Sequence, residues 1–309
     1  MPSKWSPSAD NQSADTRPLD SPAEDKGQGR GILYVVATPL GHLDDITLRA
    51  LQVLERAEII AAEDTRHTRK LLSHHGIRAA KLVAYHEHNE HLKAPQLLAR
   101  LEEGQTLALV SNAGTPLISD PGYRLVEAAG RQGLPVIPIP GPTACGAALS
   151  VSGLPTDQFI FLGFMPRKPG SRKKILTALA ADSRTMIFYE SPRRICTLMT
   201  EIAELWGERR VLCAREMTKL HEEYLRGPLT QVTAELTQRE RIRGEITLVV
   251  AGAPVGGDDN AQGEVEHLLR KALSEPDASL SRTVQSVAQS MNVSRRRVYQ
   301  IALRIQRDD

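Results

Sequence analysis

The sequence predicts an α/β protein with a parallel-sheet N-terminal domain, a mixed-sheet C-terminal domain and a small C-terminal helical unit. Three observations carry this reading. From residue 32 short apolar runs alternate with amphipathic stretches, after Pro155 the spacing of those elements changes, and beyond residue 263 the apolar residues fall only at helical spacing. A chain of 309 residues with 41% hydrophobic content can bury a sizeable core in two domains and still carry an appendix.

Residues 1–30 are rich in Ser, Asp, Pro, Gly and Gln without apolar periodicity, which predicts a disordered tail. The glycines at 27, 29 and 31 precede the first strand, whereas a dinucleotide-binding glycine loop must follow one, so they are not such a motif. The N-terminal α/β domain then spans 31–143. Apolar runs at 32–37, 58–62, 81–84, 106–110 and 135–139 read as buried strands, separated by helices near 45–56, 65–75, 91–103 and 121–132. Continuous rather than alternating apolar runs suit a parallel sheet covered on both faces.

The second α/β domain spans 144–253. Its strands fall near 158–163, 184–189, 209–215 and 245–251 and its helices near 170–181, 192–206 and 228–239, with hairpin-like spacing that suggests a mixed sheet. Residues 254–263 have linker composition. In 264–309 three apolar faces recur: Val265, Leu268, Leu269 and Ala272; Val284, Val287, Ala288 and Met291; Val298, Ile301, Ala302 and Ile305. A turn at Asn292-Val293 with Ser294 as cap makes the last two helices resemble a helix-turn-helix.

No apolar run approaches the ~20 residues that cross a bilayer, and no basic start precedes a hydrophobic stretch, so a cytoplasmic protein without membrane association is expected. Cys145, Cys196 and Cys213 are odd in number and widely separated, which disfavours a disulfide framework or a zinc knuckle. The net charge of +2 conceals a local excess. Six arginines and no acidic residue lie between Ser281 and Arg307, and Arg295, Arg296 and Arg297 open the last helix. A solvated basic face would account for such a run, but its place at a recognition-helix start favours nucleic-acid contact.

The chemistry gathers in loops after strands. Ser111-Asn112-Ala113-Gly114-Thr115-Pro116 continues to Asp120-Pro121-Gly122, and similar Gly/Pro-rich elements follow the first and fifth strands as Thr38-Pro39-Leu40-Gly41 and Pro140-Gly141-Pro142-Thr143-Ala144. One reading of the first loop is an ordinary turn, with Asp120 as helix cap and Pro121 in first helical position. Three such loops at successive strand ends point instead to one shared ligand cleft.

Glu63-Asp64-Thr65-Arg66 follows the second strand and places charge on the same edge, or supplies only a helix cap in Asp64. His86 and His88 follow the third strand. Without a cysteine nearby they read as polar lining for a substrate rather than as metal ligands, and no metal is expected. Glu190-Ser191-Pro192-Arg193 and Arg215-Glu216-Met217-Thr218-Lys219 put mixed charges at strand ends of the second domain, as ion pairs or as a polar wall.

Taken together, Val36-Ala37-Thr38-Pro39-Leu40-Gly41, Ala62-Glu63-Asp64-Thr65-Arg66, Ser111-Asn112-Ala113-Gly114-Thr115-Pro116, Pro140-Gly141-Pro142-Thr143, Phe188-Tyr189-Glu190-Ser191 and Arg215-Glu216-Met217-Thr218-Lys219 resemble the bacterial small-subunit rRNA cytidine 2'-O-ribose methyltransferases of the tetrapyrrole-methylase superfamily. The resemblance covers roughly 31–252 and extends to the helical unit. It implies a two-domain tetrapyrrole-methylase-like fold, usually in a homodimer, with S-adenosylmethionine held by Pro39, Gly41, the 111–116 loop, Asp120, Pro142, Thr143 and Ala144. It also implies the target, a cytidine ribose 2'-hydroxyl in the decoding region of small-subunit (16S) rRNA, contacted by Glu63, Asp64, Arg66, Arg193, Arg215 and Arg295 to Arg297.

His42 and Asn112 depart from the family pattern, which has Asn and Asp there. If the missing carboxylate pairs with the cofactor, cofactor affinity falls by ~1.5–3 kcal/mol, the size of a charged hydrogen bond. A ribose hydroxyl is a poor acid, so a base must take its proton; Glu190, Glu216, His86 and Lys219 are the candidates, Lys219 only if neutral. Two rival functions stay open. Methylation of a small tetrapyrrole is disfavoured by the basic C-terminal unit, and a non-catalytic RNA-binding role leaves the three loops unexplained.

Overall fold

The computed structural model describes residues 29–254, 259–273, 279–291 and 295–308. Two compact units result: the chain up to Ala147 together with Glu216–Glu222, and Ala148–Arg215 with Glu223 onward. The expected tail lies almost wholly outside the described residues, as do the Asn292-Val293 turn, Ser294, and the side chains of Arg296 and Arg297.

The first unit is built on five parallel strands, β1 (Leu33–Val36), β2 (Ile59–Ala62), β3 (Leu82–Ala84), β4 (Leu107–Val110) and β5 (Val136–Ile139), in the order β3-β2-β4-β1-β5. Alternation splits each buried run between two cores. Leu33, Ile59, Ala61, Leu107 and Leu109 meet α3 (Glu90–Glu102) and α4 (Tyr123–Arg131) on one face. Val36, Ile60, Ala62, Ala108 and Val110 meet α1 (Leu48–Arg56) and α2 (Thr65–His74) on the other. Helices α1 and α4 thus leave β1 and β4 on opposite faces, so the crevice where ligands bind in open α/β sheets opens between those two neighbouring strands. The short helix α5 (Ala144–Ser150) follows β5.

The second unit has a mixed sheet, β6 (Phe159–Phe164), β7 (Thr185–Glu190), β8 (Arg210–Arg215), β9 (Glu223–Pro228) and β10 (Ile246–Val250), ordered β6-β7-β10-β8-β9, with only β6 and β7 parallel. Strand β9 was not expected: Glu-Tyr-Leu-Arg-Gly-Pro has no apolar run, because an edge strand paired only to β8 buries little. Met186, Phe188, Cys213 and Leu248 pack against α6 (Pro169–Leu179), α7 (Ile195–Trp206) and α8 (Leu229–Thr237).

Past β10 the backbone of Gly252 crosses residues 183 and 184 so closely that a Cβ there would stand 2.2 Å from the Ser183 carbonyl carbon. Gly252→Ala is therefore expected to cost about 1–3 kcal/mol by forcing backbone apart. Equilibrium urea unfolding checks this, and an unchanged midpoint contradicts it.

Helices α9 (Asp259–Leu273), α10 (Leu280–Ser290) and α11 (Arg295–Asp308) enclose a small core of Val265, Leu269, Val284, Val287, Val298, Ile301 and Ile305, the faces anticipated from spacing. Helix α9 reaches back to Asp259, into the segment read as linker. Among the described residues no helix is long and apolar enough to cross a membrane.

Candidate active site

The loops after β1, β4 and β5 are tied to one another by their own polar groups. Thr38 and Gly114 form an isolated antiparallel bridge, each donating its N–H to the other's carbonyl at 2.8 and 2.9 Å. The buried Thr38 hydroxyl donates to the Ser111 carbonyl at 3.1 Å, and Thr115 Oγ1 donates to the Pro142 carbonyl at 3.0 Å. Gly114 adopts φ +78°, and a Cβ there would meet Leu40 at 3.3 Å, so glycine lets the loops close on each other. The side-chain nitrogen of Asn112 and the hydroxyl of Thr143 have no partner among the described residues, which leaves donors for the polar groups of a ligand.

Asn112 also faces β2. Its Oδ1 accepts from the Asp64 N–H at 3.1 Å, and its own N–H donates to Glu63 Oε2 at 3.1 Å. An aspartate at 112 would bring a third carboxylate beside Glu63 and Asp64, so the amide relieves repulsion there. Asp64 caps α2 by accepting from the Arg66 N–H at 2.8 Å, and that bond holds its carboxyl below the usual range. Arg66 itself is exposed.

Asp120 does not cap α4. Gly122 does, at φ +136°, because the left-handed Leu117 (φ 72°) and Ser119 (φ 69°) turn the loop before it reaches the helix. Such conformations cost about 1–3 kcal/mol each and collect where the surrounding structure imposes them, often at ligand sites. Asp120 instead lines a cavity of about 580 Å³ with Glu63, His86, Asn112 and Ser119, within the range of small-molecule sites. His86 Nε2 contacts Asn89 Nδ2 at 3.2 Å, and its buried Nδ1 has no hydrogen-bond partner among the described residues. The one cluster with metal-ligand chemistry among the described residues is not His86 and His88 but Asp44, His74 and His75, whose ligand atoms lie within 4.8 Å of one another. There His74 already bonds Asp44 at 3.0 Å and His75 bonds the Leu43 carbonyl at 3.1 Å.

A segment that the sequence places with the second domain joins this group. Residues 216–222 fold with the first unit. The Thr218 hydroxyl accepts from the His42 N–H at 3.1 Å, and the Lys219 stem lies over Gly41, where a Cβ would stand 2.3 Å from Lys219 Cγ. Lys219 Nζ donates to Glu216 Oε1 at 2.9 Å, an ion pair that favours the charged form of the lysine, whereas proton abstraction by it would need the neutral form. Glu216 (φ 52°) and Thr218 (φ 63°) are both left-handed, a strained turn that no local sequence signal announces.

In the second unit Glu190 is 2% exposed; Oε1 accepts from the Ser191 N–H at 2.7 Å and Oε2 pairs with Arg194 at 3.1 Å. Arg215 is half-buried in an ion-pair network, donating to Glu223 at 2.8 Å and to the Arg243 carbonyl, while Arg239 grips the same carboxylate through both of its oxygens. Arg193 and Arg295 are exposed, the latter bonded to Ser281 Oγ at 3.1 Å. Cys145, Cys196 and Cys213 form no disulfide among the described residues.

Arg239 and then Arg215 hold the Glu223 carboxyl at about 2. A lowered folded-state value contributes stability above the unfolded carboxyl value of about 4.3 and loses it as pH falls towards 2. Between those limits Glu223→Gln is expected to flatten the acid limb of the stability curve, measured by thermal unfolding across pH; an identical limb overturns it.

The family of Tetrapyrrole (Corrin/Porphyrin) Methylases matches residues 32–233. Ribosomal RNA small subunit methyltransferase I of Synechocystis sp. is 45% identical over 284 residues, covering 90% of this chain and 99% of that protein. The methyltransferase CobJ superposes with TM-score 0.55 at 22% identity, over 73% of this chain and 95% of that one. Uroporphyrin-III C-methyltransferase from Thermus thermophilus, complexed with S-adenyl homocysteine, gives TM-score 0.51 at 19% identity, over 71% and 96%.

Proposed function

Because the chain belongs to the tetrapyrrole methylase family, and within it to the group of ribosomal RNA small subunit methyltransferase I, we propose that it methylates the ribose 2'-hydroxyl of a cytidine in the decoding region of small-subunit (16S) rRNA, as a cytoplasmic homodimer. S-adenosylmethionine is the cofactor, and its sulfonium supplies an electrophilic methyl group. Pro39, Gly41, the 111–116 loop, Asp120 and Pro142 to Ala144 are the residues proposed to hold it, and the free donors of Asn112 and Thr143 fit its polar groups.

The observation that carries the assignment of chemistry is the Glu216–Lys219 ion pair folded over Gly41. Glu216 is proposed to take the hydroxyl proton as the oxygen attacks, with Lys219 fixing the carboxylate and offsetting the charge that develops on the oxygen. His86 and Glu190 then serve substrate placement and internal pairing. Glu63, Asp64, Arg66, Arg193, Arg215 and Arg295 to Arg297 are the proposed RNA contacts, Arg215 through the network it shares with Glu223.

Transfer of labelled methyl to small ribosomal subunits lacking the native mark, to naked rRNA and to a tetrapyrrole precursor tests the reading. Label in a ribose-methylated cytidine of the subunit is expected. Label only in the tetrapyrrole, or cofactor binding with no labelled RNA, overturns it.

A further inference from the structure

The second unit contains a cavity of about 810 Å³ where α7 starts and where α8 runs into β10, sharing no residue with the loops after β1, β4 and β5. Its floor is apolar, supplied by the half-buried Ile242 and Cys196 over the core residue Leu236. Its rim carries Arg193, Arg241 and Arg243, all exposed and none with an acidic partner among the described residues, against the single carboxylate of Glu240. Neighbouring Arg239 is different, because Glu223 and Glu235 neutralise it. Three free guanidiniums around one apolar floor repel one another and gain nothing from the fold itself.

The start of α7 adds to the same imbalance. Its N-cap residue Arg194 provides no side-chain cap, and Arg193 and Arg194 set positive charge before the positive end of the helix dipole, an unfavourable order in the absence of an anion. Arg194 is compensated by Glu190 at 3.1 Å; Arg193 is not. A phosphate there would meet guanidinium donors and backbone N–H groups together.

We propose that this cavity is a binding site for one unpaired nucleotide of an RNA strand, with the base on the half-buried Ile242 and Cys196 and the flanking phosphates on Arg193, Arg241 and Arg243. An unstacked base offers a flat apolar face that a duplex conceals, and guanidinium planes stack on bases as well as pair with phosphates. The site deepens the rRNA reading above by naming a second place where the substrate strand is held, and it rests on that reading for the choice of RNA.

The full chain is tested by fluorescence anisotropy with a short labelled single-stranded RNA, the matching duplex and an acidic peptide. The triple variant R193Q/R241Q/R243Q and the single reversal R241E are compared with wild type and with R78Q, which removes an exposed arginine of the first unit. The triple variant is expected to bind single-stranded RNA at least about tenfold more weakly, with a salt slope smaller by about 2, the loss of three phosphate contacts. R241E should weaken it too, and R78Q should not. Unfolding midpoints and S-adenosylmethionine binding should stay at wild-type values. Triple-variant binding within twofold of wild type overturns the site, as does equal sensitivity of the acidic peptide. Methyl transfer by wild type to small subunits reports separately on the reading beneath it: normal KM in the triple variant removes the site and leaves the activity, whereas arginine-dependent RNA binding without methyl transfer removes the activity and leaves the site.

Discussion

Glu216→Gln is expected to lower the rate of methyl transfer by about 10²–10⁴-fold, the usual contribution of a positioned general base. Its amide keeps the shape and can still meet Lys219, but it cannot take a proton. Lys219→Ala should lower kcat as well, through loss of the 2.9 Å bond that orients the carboxylate. The two effects should not add, because each removes part of one unit. Single-turnover assays with saturating cofactor separate this from binding. If Glu216→Gln turns over at the wild-type rate, Glu216 is not the base, whatever the effect of the lysine variant.

Arg172→Leu is expected to cost about 3–5 kcal/mol of stability. Arg172 is 5% exposed on α6, its guanidinium is bidentate to Glu201 on α7, and it donates further to the carbonyls of Pro166 and Arg167 at 3.1 and 3.3 Å. Its pKa is raised first by the Glu201 bond, so it stays charged, and its loss leaves the Glu201 carboxylate and the Arg167 carbonyl without this donor and the Pro166 carbonyl with only Arg194 at 3.4 Å. The double variant Arg172→Leu/Glu201→Leu should recover much of the deficit, since apolar replacement of a whole buried pair is often neutral. Urea unfolding of both variants decides this; a single variant with the wild-type midpoint contradicts it.

These two sites differ in how far the chain announces them. The strands of the parallel sheet are legible because a strand covered on both faces must be apolar throughout, as Ile59–Ala62 and Leu107–Val110 are. The Gly/Pro loops are legible because their residue types limit the backbone, and their place after strands follows from the α/β alternation. Strand β9 is hidden because its stability comes from hydrogen bonds to β8 and not from side chains. Arg172 gives no signal either, since nothing in a helix sequence distinguishes a solvated arginine from one whose partner lies on the next helix.

By itself the sequence determined the fold class, the buried strands, the Asp64 cap and the identity of the loops, all of which depend on residue type and on neighbours a few positions away. Only the tertiary structure decided that Thr38 bridges Gly114, that Gly122 rather than Asp120 opens α4, that Arg215 sits in an ion-pair network, and that residues 216–222 leave their own sheet to lay Lys219 over Gly41. Those outcomes depend on groups far apart in the chain, whose meeting is set by the packing of whole elements and by backbone strain that such packing can sustain.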